Sequence, residues 1–241
     1  MLDEIDLEGG NIFIVDKPLG WTSFDAVKKI RNALRIKRVG HAGTLDPLAT
    51  GILIVCSGRK TKMVDQLMAS VKEYKGTLKL GETTPSFDAE TDPDQTYPTD
   101  HIRMEDLVLA TKQFLGPISQ IPPIYSAITV NGQRLYKLAR EGSDYVPEPR
   151  QVEIFDFLIT AVRFPFVNFT VRCSKGTYIR SLANDFGKAV GSGAYLTALR
   201  RTSSGDYKIS DATSMDSIIA HIKLSKEKLT NQPTVDLVVE G

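Results

Sequence analysis

Residues 166–174, FVNFTVRCS, alternate without a break. Val167, Phe169, Val171 and Cys173 fall on one face of a strand, and Asn168, Thr170, Arg172 and Ser174 on the other. A strand with one apolar and one polar face needs a sheet covered on one side and wet on the other, the habit of antiparallel sheets. Apolar or alternating runs at 11–15, 52–57, 71–80, 150–163 and 194–201 supply partner strands. Helical periodicity marks 23–36, with Ser23 as the expected cap and Phe24, Val27, Ile30 and Leu34 on one face. It also marks 60–69 (Val64, Leu67 and Met68 inward), 103–115 ending at Gly116-Pro117, and 177–190 (Ile179, Leu182, Phe186 and Val190 inward). Strands are often neighbours in sequence, so the expected class is α+β, with a largely antiparallel central sheet flanked by helices and loops.

The rest of the chain is less regular. Residues 81–100 read as loop. Residues 124–148 read as an excursion: a short strand, an Asn131-Gly132 turn and a helix carrying Leu135, Leu138 and Ala139. After Gly205 only 36 residues remain, with a short helix expected near 215–223 and an apolar run at 234–239. Cys56 and Cys173 lie in apolar or alternating runs and read as buried thiols. The N-terminus is acidic and no run reaches the ~18 apolar residues of a membrane span. A cytoplasmic protein without membrane partners is the expectation.

The net charge of +1 does not mark a nucleic-acid binder by itself, but its distribution is uneven. Lys28, Lys29, Arg31, Arg35, Lys37 and Arg38 crowd one stretch, and Asp88, Glu90, Asp92 and Asp94 another. The basic stretch runs into GHAGTLDPLATG (Gly40 to Gly51), where Asp46 is framed by glycines and restrained by Pro47. That is how a carboxylate is held in one pose on a loop, although a turn aspartate bonding its own backbone has the same local signature. Arg180, in KGTYIRS at the start of a helix, is a cation able to keep a carboxylate ionised; a surface arginine of a first helical turn reads the same. Tyr74 stands between Lys72 and Lys75 on a strand, a pattern that suits base stacking near phosphates as well as a ring in the core. His41 has no metal-ligand spacing around it, so its functional reading is contact with RNA; an ordinary loop histidine reads the same. No phosphate-binding loop, dinucleotide fingerprint or serine-hydrolase elbow occurs.

These signals occur in one order and in characteristic wording: VDKPLGWTS, GHAGTLDPLATGIL, KEYKGTLKLG, IPPIYSA, NGQRLYKLAREG, CSKGTYIRSLANDFG and ALRRTSSG. Together, over roughly Ile12 to Gly205, the chain resembles bacterial tRNA pseudouridine-55 synthases, the TruB family. The resemblance implies the pseudouridine synthase fold. It also implies isomerisation of uridine in the T-arm loop of tRNA, on a flipped-out nucleotide, without cofactor or metal, by a monomer. Asp46 matches the catalytic aspartate, Tyr74 the tyrosine that stacks on the target base, and Arg180 the arginine that pairs with the aspartate. Four further positions match substrate-side residues: His41, Leu199 ahead of the paired arginines, Lys17 of the KP motif packing under the site, and Asp88. Residues 1–205 then form the catalytic domain, with 124–148 as a mobile RNA-contacting insertion. Residues 206–241 form a short C-terminal segment, reduced relative to a full PUA domain. Lys28 to Arg38, Lys72, Lys75, Arg200 and Arg201 are expected to contact RNA backbone. Asp46 can act as a nucleophile at the sugar or as a base that gives a glycal; both need the ionised carboxylate. Two other readings are an RNA-binding or RNA-folding protein of the same fold, and a small-molecule lyase or glycosidase with Asp88 as its second carboxylate.

Overall fold

A computed structural model of the chain describes residues 5–6, 9–130, 132–143 and 145–230. The elements in chain order begin with β1 (Ile12–Lys17), α1 (Ser23–Leu34), β2 (Val39–His41) and β3 (Ala49–Ser57). A 3-10 turn (Gly58–Met63), α2 (Val64–Met68), β4 (Lys72–Leu80), and the two-residue strands β5 (Glu82–Thr83) and β6 (Gln95–Thr96) follow. Then come α3 (Met104–Lys112), β7 (Gly116–Gln120), β8 (Thr129–Val130), β9 (Gln133–Arg134) and α4 (Leu135–Arg140). The long hairpin β10 (Arg150–Arg163) and β11 (Phe166–Cys173) leads to α5 (Ile179–Ala189) and β12 (Ala194–Ser204). The described chain closes with β13 (Tyr207–Lys208), β14 (Thr213–Ser214) and α6 (Met215–Thr230).

One sheet of ten strands organises these elements, in the order β14-β1-β3-β12-β4-β11-β10-β7, with β2 on β3 and β13 on β12. All pairs are antiparallel except β1 with β14 and β3 with β12. The α+β expectation with a largely antiparallel sheet therefore holds. Late in sequence, β12 inserts between β3 and β4, with Leu199 opposite Ala49 on one side and Gly76 on the other. This parallel insertion brings the Asp46 loop, the Tyr74 strand and the ALRR segment side by side.

The alternating face of β11 is buried as expected, with Val167, Phe169, Val171 and Cys173 in the main core. Phe157 and Phe186 pack with ring centroids 5.5 Å apart, and Phe157 and Phe169 likewise. These rings clamp α5 onto the sheet, and edge-on contacts add to the area they bury. Gly76 leaves room for the Phe169 ring: a Cβ there would lie 2.4 Å from its Cζ.

Local departures have identifiable causes. Thr22, not Ser23, caps α1: its hydroxyl accepts from Asp25 N, and the Asp25 carboxylate accepts from Thr22 N, a reciprocal capping box. Ser23 is buried, and its Oγ donates to Leu45 O and accepts from Leu45 N. The helix expected at 60–69 is a 3-10 turn followed by five α-helical residues, and Met68 is 39% exposed rather than inward. The helix near 103–115 stops at Lys112, because Gly116–Gln120 is used as an edge strand against β10. Asn131 lies outside the described residues, as does the apolar run 234–239. The stretch after Gly205 is not set apart. Its helix runs to Thr230, and Met215, Ile218 and Ile222 sit in the main core beside α1. Lys226 Nζ donates to Ala33 O and Leu34 O at the C-terminal end of α1. Among the described residues no helix is long and apolar enough to cross a membrane.

Gly51 is where the inserted strand constrains the sequence most. It has φ +96°, and a Cβ would lie 2.3 Å from Arg201 O. Gly51→Ala should therefore destabilise the protein by about 1–3 kcal/mol or more, from backbone strain plus displacement of β12. A urea midpoint within experimental error of the parent would contradict this account of the β3–β12 pair.

Candidate active site

A cleft of about 280 Å³ opens over β3, β12 and β4. Gly43 to Asp46 form one wall, Ser174 and Gly176 to Arg180 the opposite one, and Lys72, Tyr74, Leu199 and Arg201 line the strands between. Ala127, from the 124–148 excursion, also lines it. The structure thus brings together Asp46, Tyr74, Arg180 and Leu199, which are far apart in sequence.

Arg180 is 3% exposed, and its Nε lies 3.0 Å from Asp46 Oδ2 and 3.5 Å from Asp88 Oδ2. The Nε–H is aimed squarely at neither oxygen, so these are charge contacts rather than aligned hydrogen bonds. Nη1 donates to Ser86 O at 3.2 Å. Asp88 is itself buried. Its Oδ1 accepts from Ser86 Oγ at 2.6 Å and from Glu90 N at 2.9 Å. The start of α5 is pinned from the other side by Gln120. This buried amide accepts from Tyr178 N at 2.7 Å and donates to Tyr178 O at 3.0 Å.

Asp46 differs from Asp88 in being reachable: 38% of its side chain faces the cleft. The walls strip away much of its water, and this desolvation pushes its carboxyl above the usual range. Arg180 opposes that shift, and Asp88 and Glu90 add to it. Tyr74 is buried with only an edge reaching the cleft. Burial pushes its phenol up while the Arg201 guanidinium pulls it down, so it stays neutral at physiological pH.

The remaining sequence candidates take different places. Leu199 lines the cleft as expected. Lys17 has no exposed surface; its ammonium donates to Trp21 O and Pro18 O. Its ammonium is therefore spent on the turn between β1 and α1, with no exposed surface to offer a substrate. Burial pushes it down to about 8, against the pull of Asp46. His41 is half-buried on β2 opposite Val55 and does not line the cleft; burial, then Arg201, lowers its pKa. Asp88 is tied up behind Arg180, so its carboxylate braces the arginine and is not free as a second acid. Three expected phosphate contacts are corrected. Arg200 forms a two-pronged pair with Asp16, at 3.0 and 2.7 Å. Arg201 is 1% exposed and donates to Ile52 O and Gly43 O. Lys72 is buried and donates to Met68 O and Ser70 O. Arg201 and Lys72 thus place positive charge against the cleft wall without a carboxylate among their hydrogen-bond partners.

Ser86 and Gln120 escaped sequence reading because short polar residues in loops and edge strands carry no periodic signal. Arg150, which stacks over the Tyr178 ring at 4.9 Å at the cleft, was missed for the same reason.

Comparison with known proteins places this geometry in context. Residues 31–179 match the family model for the TruB family pseudouridylate synthase N-terminal domain, and residues 180–239 that for the tRNA pseudouridylate synthase B C-terminal domain. The chain is 51% identical over 210 residues to the tRNA pseudouridine synthase B of Flavobacterium johnsoniae, covering 84% of this chain and 92% of that one. It is 48% identical over 220 residues to that of Parabacteroides distasonis, covering 89% and 94%. Among solved structures it is similar to a Cbf5-Nop10-Gar1 complex, with TM-score 0.72 and 27% identity. It is also similar to an H/ACA RNP bound to a substrate RNA containing 2'-deoxyuridine, with TM-score 0.69 and 26% identity. The matches cover 92% of this chain but span only 57% and 56% of those longer ones.

Two measurements test the site's construction. Gln120→Ala strands the buried Tyr178 N–H, which should cost about 1–3 kcal/mol of stability and lower activity beyond what restored folding at reduced temperature recovers. Asp46→Asn should melt higher than the parent at neutral pH. A carboxyl raised in the folded state takes its proton more readily there, so the contribution of Asp46 to stability is most favourable at low pH and is lost as pH rises through the raised value. The variant's advantage should accordingly vanish at the acid end; an advantage independent of pH would refute the electrostatic account.

Proposed function

Because the chain belongs to the TruB family of pseudouridine synthases, we propose that it isomerises uridine 55 in the T-arm loop of tRNA, with Asp46 as its catalytic carboxylate. The observation that carries this reading is the Asp46–Arg180 pair at 3.0 Å, which joins the two walls of a cleft that Tyr74 also lines. Simple RNA binding does not require a desolvated carboxylate braced by a buried arginine.

The reaction breaks the bond between ribose C1′ and uracil N1, turns the base and joins C1′ to C5, while the proton on C5 is lost and N1 gains one. Nothing is exchanged with the outside on balance. The target nucleotide leaves the stack and enters the cleft, where an aromatic edge can pack against its base. Asp46 engages the sugar, as a nucleophile at C1′ or as a base at the adjacent carbon, and either course needs the ionised form that Arg180 favours. The departing uracil carries negative charge, and the Arg201 and Lys72 cations on the cleft wall are preorganised to stabilise it. Tyr74, neutral at working pH, is placed to take part in the proton movement at C5 and N1. The 124–148 excursion reaches the cleft through Ala127 and is tied to the Asp88 loop by an Arg140–Glu90 pair at 3.1 Å, which suits a segment closing over the RNA arm. The expected setting is the cytoplasm, with the protein acting as a monomer.

Asp46→Asn should lower turnover by about 10³-fold or more while still binding a tRNA transcript, as read by mass spectrometry that maps the altered uridine. Retained turnover would sink the assignment. With the parent enzyme, kcat/KM should fall on acidification through a value above the ordinary aspartate range, because the cleft raises the Asp46 carboxyl.

A further inference from the structure

We infer that Arg140 is a positioning residue: its ion pair with Glu90 couples the 124–148 excursion to the readiness of Asp46 to react, through a run of polar contacts that ends on that carboxylate. The inference rests on the proposed uridine isomerisation and adds to it a residue that lies outside the cleft.

The run is continuous. Arg140 Nη2 lies 3.1 Å from Glu90 Oε1, and Glu90 N donates to Asp88 Oδ1 at 2.9 Å. Asp88 Oδ2 lies 3.5 Å from Arg180 Nε, and that nitrogen 3.0 Å from Asp46 Oδ2. The loop in the middle is knitted together. Thr84 Oγ1 donates to Asp88 O at 2.7 Å, and Ser86 Oγ lies 2.8 Å from Thr91 Oγ1. Leu196 N donates to Phe87 O at 3.0 Å, which seats the loop on β12. Thr84, Ser86 and Asp88 are buried, whereas Glu90 reaches the surface. At the far end the Arg140 guanidinium also sits over the Tyr136 ring, 5.7 Å from its centroid. Tyr136 N donates in turn to Ser126 O, next to the cleft-lining Ala127. The excursion therefore bears on the site twice, directly through Ala127 and at a distance through Arg140. Of Arg134, Lys137 and Arg140, only Arg140 meets a carboxylate among the described residues.

Glu90 matters because it bears on Asp46. Arg180 and Lys17 favour the ionised Asp46, whereas Asp88 and Glu90 oppose it; Arg201, Lys72 and Tyr74 line the same cleft. Asp88 is buried and held at a fixed distance from Arg180, so its influence is constant. Glu90 differs, because its cation comes from a separate segment of chain. With Arg140 against it, the two opposite charges largely cancel at Asp46. With Arg140 withdrawn, Glu90 acts alone and holds the proton on Asp46. The pair is exposed, 64% at Arg140 and 36% at Glu90, and exposed pairs are weak. A weak pair forms and parts readily, as a contact between two segments must when RNA enters between them. A unit charge acting across roughly 10 Å of wet surface changes an equilibrium about twofold. That is small against the chemistry, and enough to favour the ionised carboxylate when the excursion is in place.

The test reads Asp46 directly, by NMR titration of isotope-labelled aspartate carboxyls in the full chain. Low-salt buffer is used because exposed charges are screened, and the Asp46 signal is identified by its loss in Asp46→Asn. Arg140→Gln should raise the Asp46 midpoint by about 0.3, a twofold effect, and Glu90→Gln should lower it. In the Glu90→Gln background nothing holds the guanidinium in place, so the effect of Arg140→Gln should be largely lost. Arg140→Lys, which keeps the charge, should return the midpoint towards the parent. Single-turnover rates on a saturating tRNA transcript should follow: Arg140→Gln is about twofold slower on the acid limb and matches the parent at alkaline pH. A midpoint that Arg140→Gln leaves in place, or moves equally with and without Glu90, would overturn the coupling. So would a rate loss independent of pH, the mark of a plain RNA contact. The titration needs no turnover, so a parent enzyme that left tRNA unmodified would strike the proposed function and leave this result standing. Both side chains reach solvent, and unaltered melting temperatures verify that the variants are folded.

Discussion

A guanidinium cannot be taken out of water alone, and the burial of Arg180 sets the terms for everything around it. Two carboxylates and a backbone carbonyl meet it. One carboxylate, Asp88, is buried, saturated by a hydroxyl and an amide, and spends its charge inside the protein. The other, Asp46, faces the cleft and is left with capacity to react. The same arginine thus divides two chemically identical groups into one buried brace and one that faces the cleft. The devices that fix Arg180 are spread over the fold: the aromatic clamp on α5, the Gln120 amide on the backbone before it, and the loop carrying Ser86 that seats against β12.

Beneath this pair lies a second layer of buried cations. Lys17, Lys72 and Arg201 are all held by backbone carbonyls. Burial pushes Lys17 and Lys72 down to about 8, so at neutral pH both still add their charge to that of Arg201, without a carboxylate among their hydrogen-bond partners. A single mobile salt link could not provide so rigid a field. The arrangement also explains why the ALRR segment mattered differently from what its composition suggested: one arginine is a strut under the catalytic loop and the other closes on Asp16.

Much of this was legible in the sequence, and the division follows from physics. β11 and α5 were readable because burial on one face leaves a period of two or about 3.6 residues. Asp46 and Arg180 were readable because their wording resembles a family; alone, each local signature also fits a turn aspartate or a surface arginine. The partnership of Asp46 with Arg180 is a tertiary fact, invisible to periodicity. So is the burial of Lys17 and Arg201, since a charged residue reads as exposed until the fold supplies carbonyls for it. β7 was lost because an edge strand opening with Gly-Pro looks like a helix stop. A helix near 215–223 was legible, but not that it runs to Thr230 or packs into the core beside α1, because an amphipathic period does not announce which surface it will cover.

The insertion of β12 between β3 and β4 has a temporal consequence. A ribosome makes the catalytic loop and the Tyr74 strand early, yet the gap between β3 and β4 is filled by a strand that ends at Ser204. Leu199 and Arg201, which line the cleft, arrive with that strand, whereas Lys17 and Lys72 and the carbonyls that hold them come earlier. Until β12 takes its place, Asp46 has neither Leu199 nor the Arg201 charge beside it, so the cleft is whole only once the flanking strands have closed on that gap.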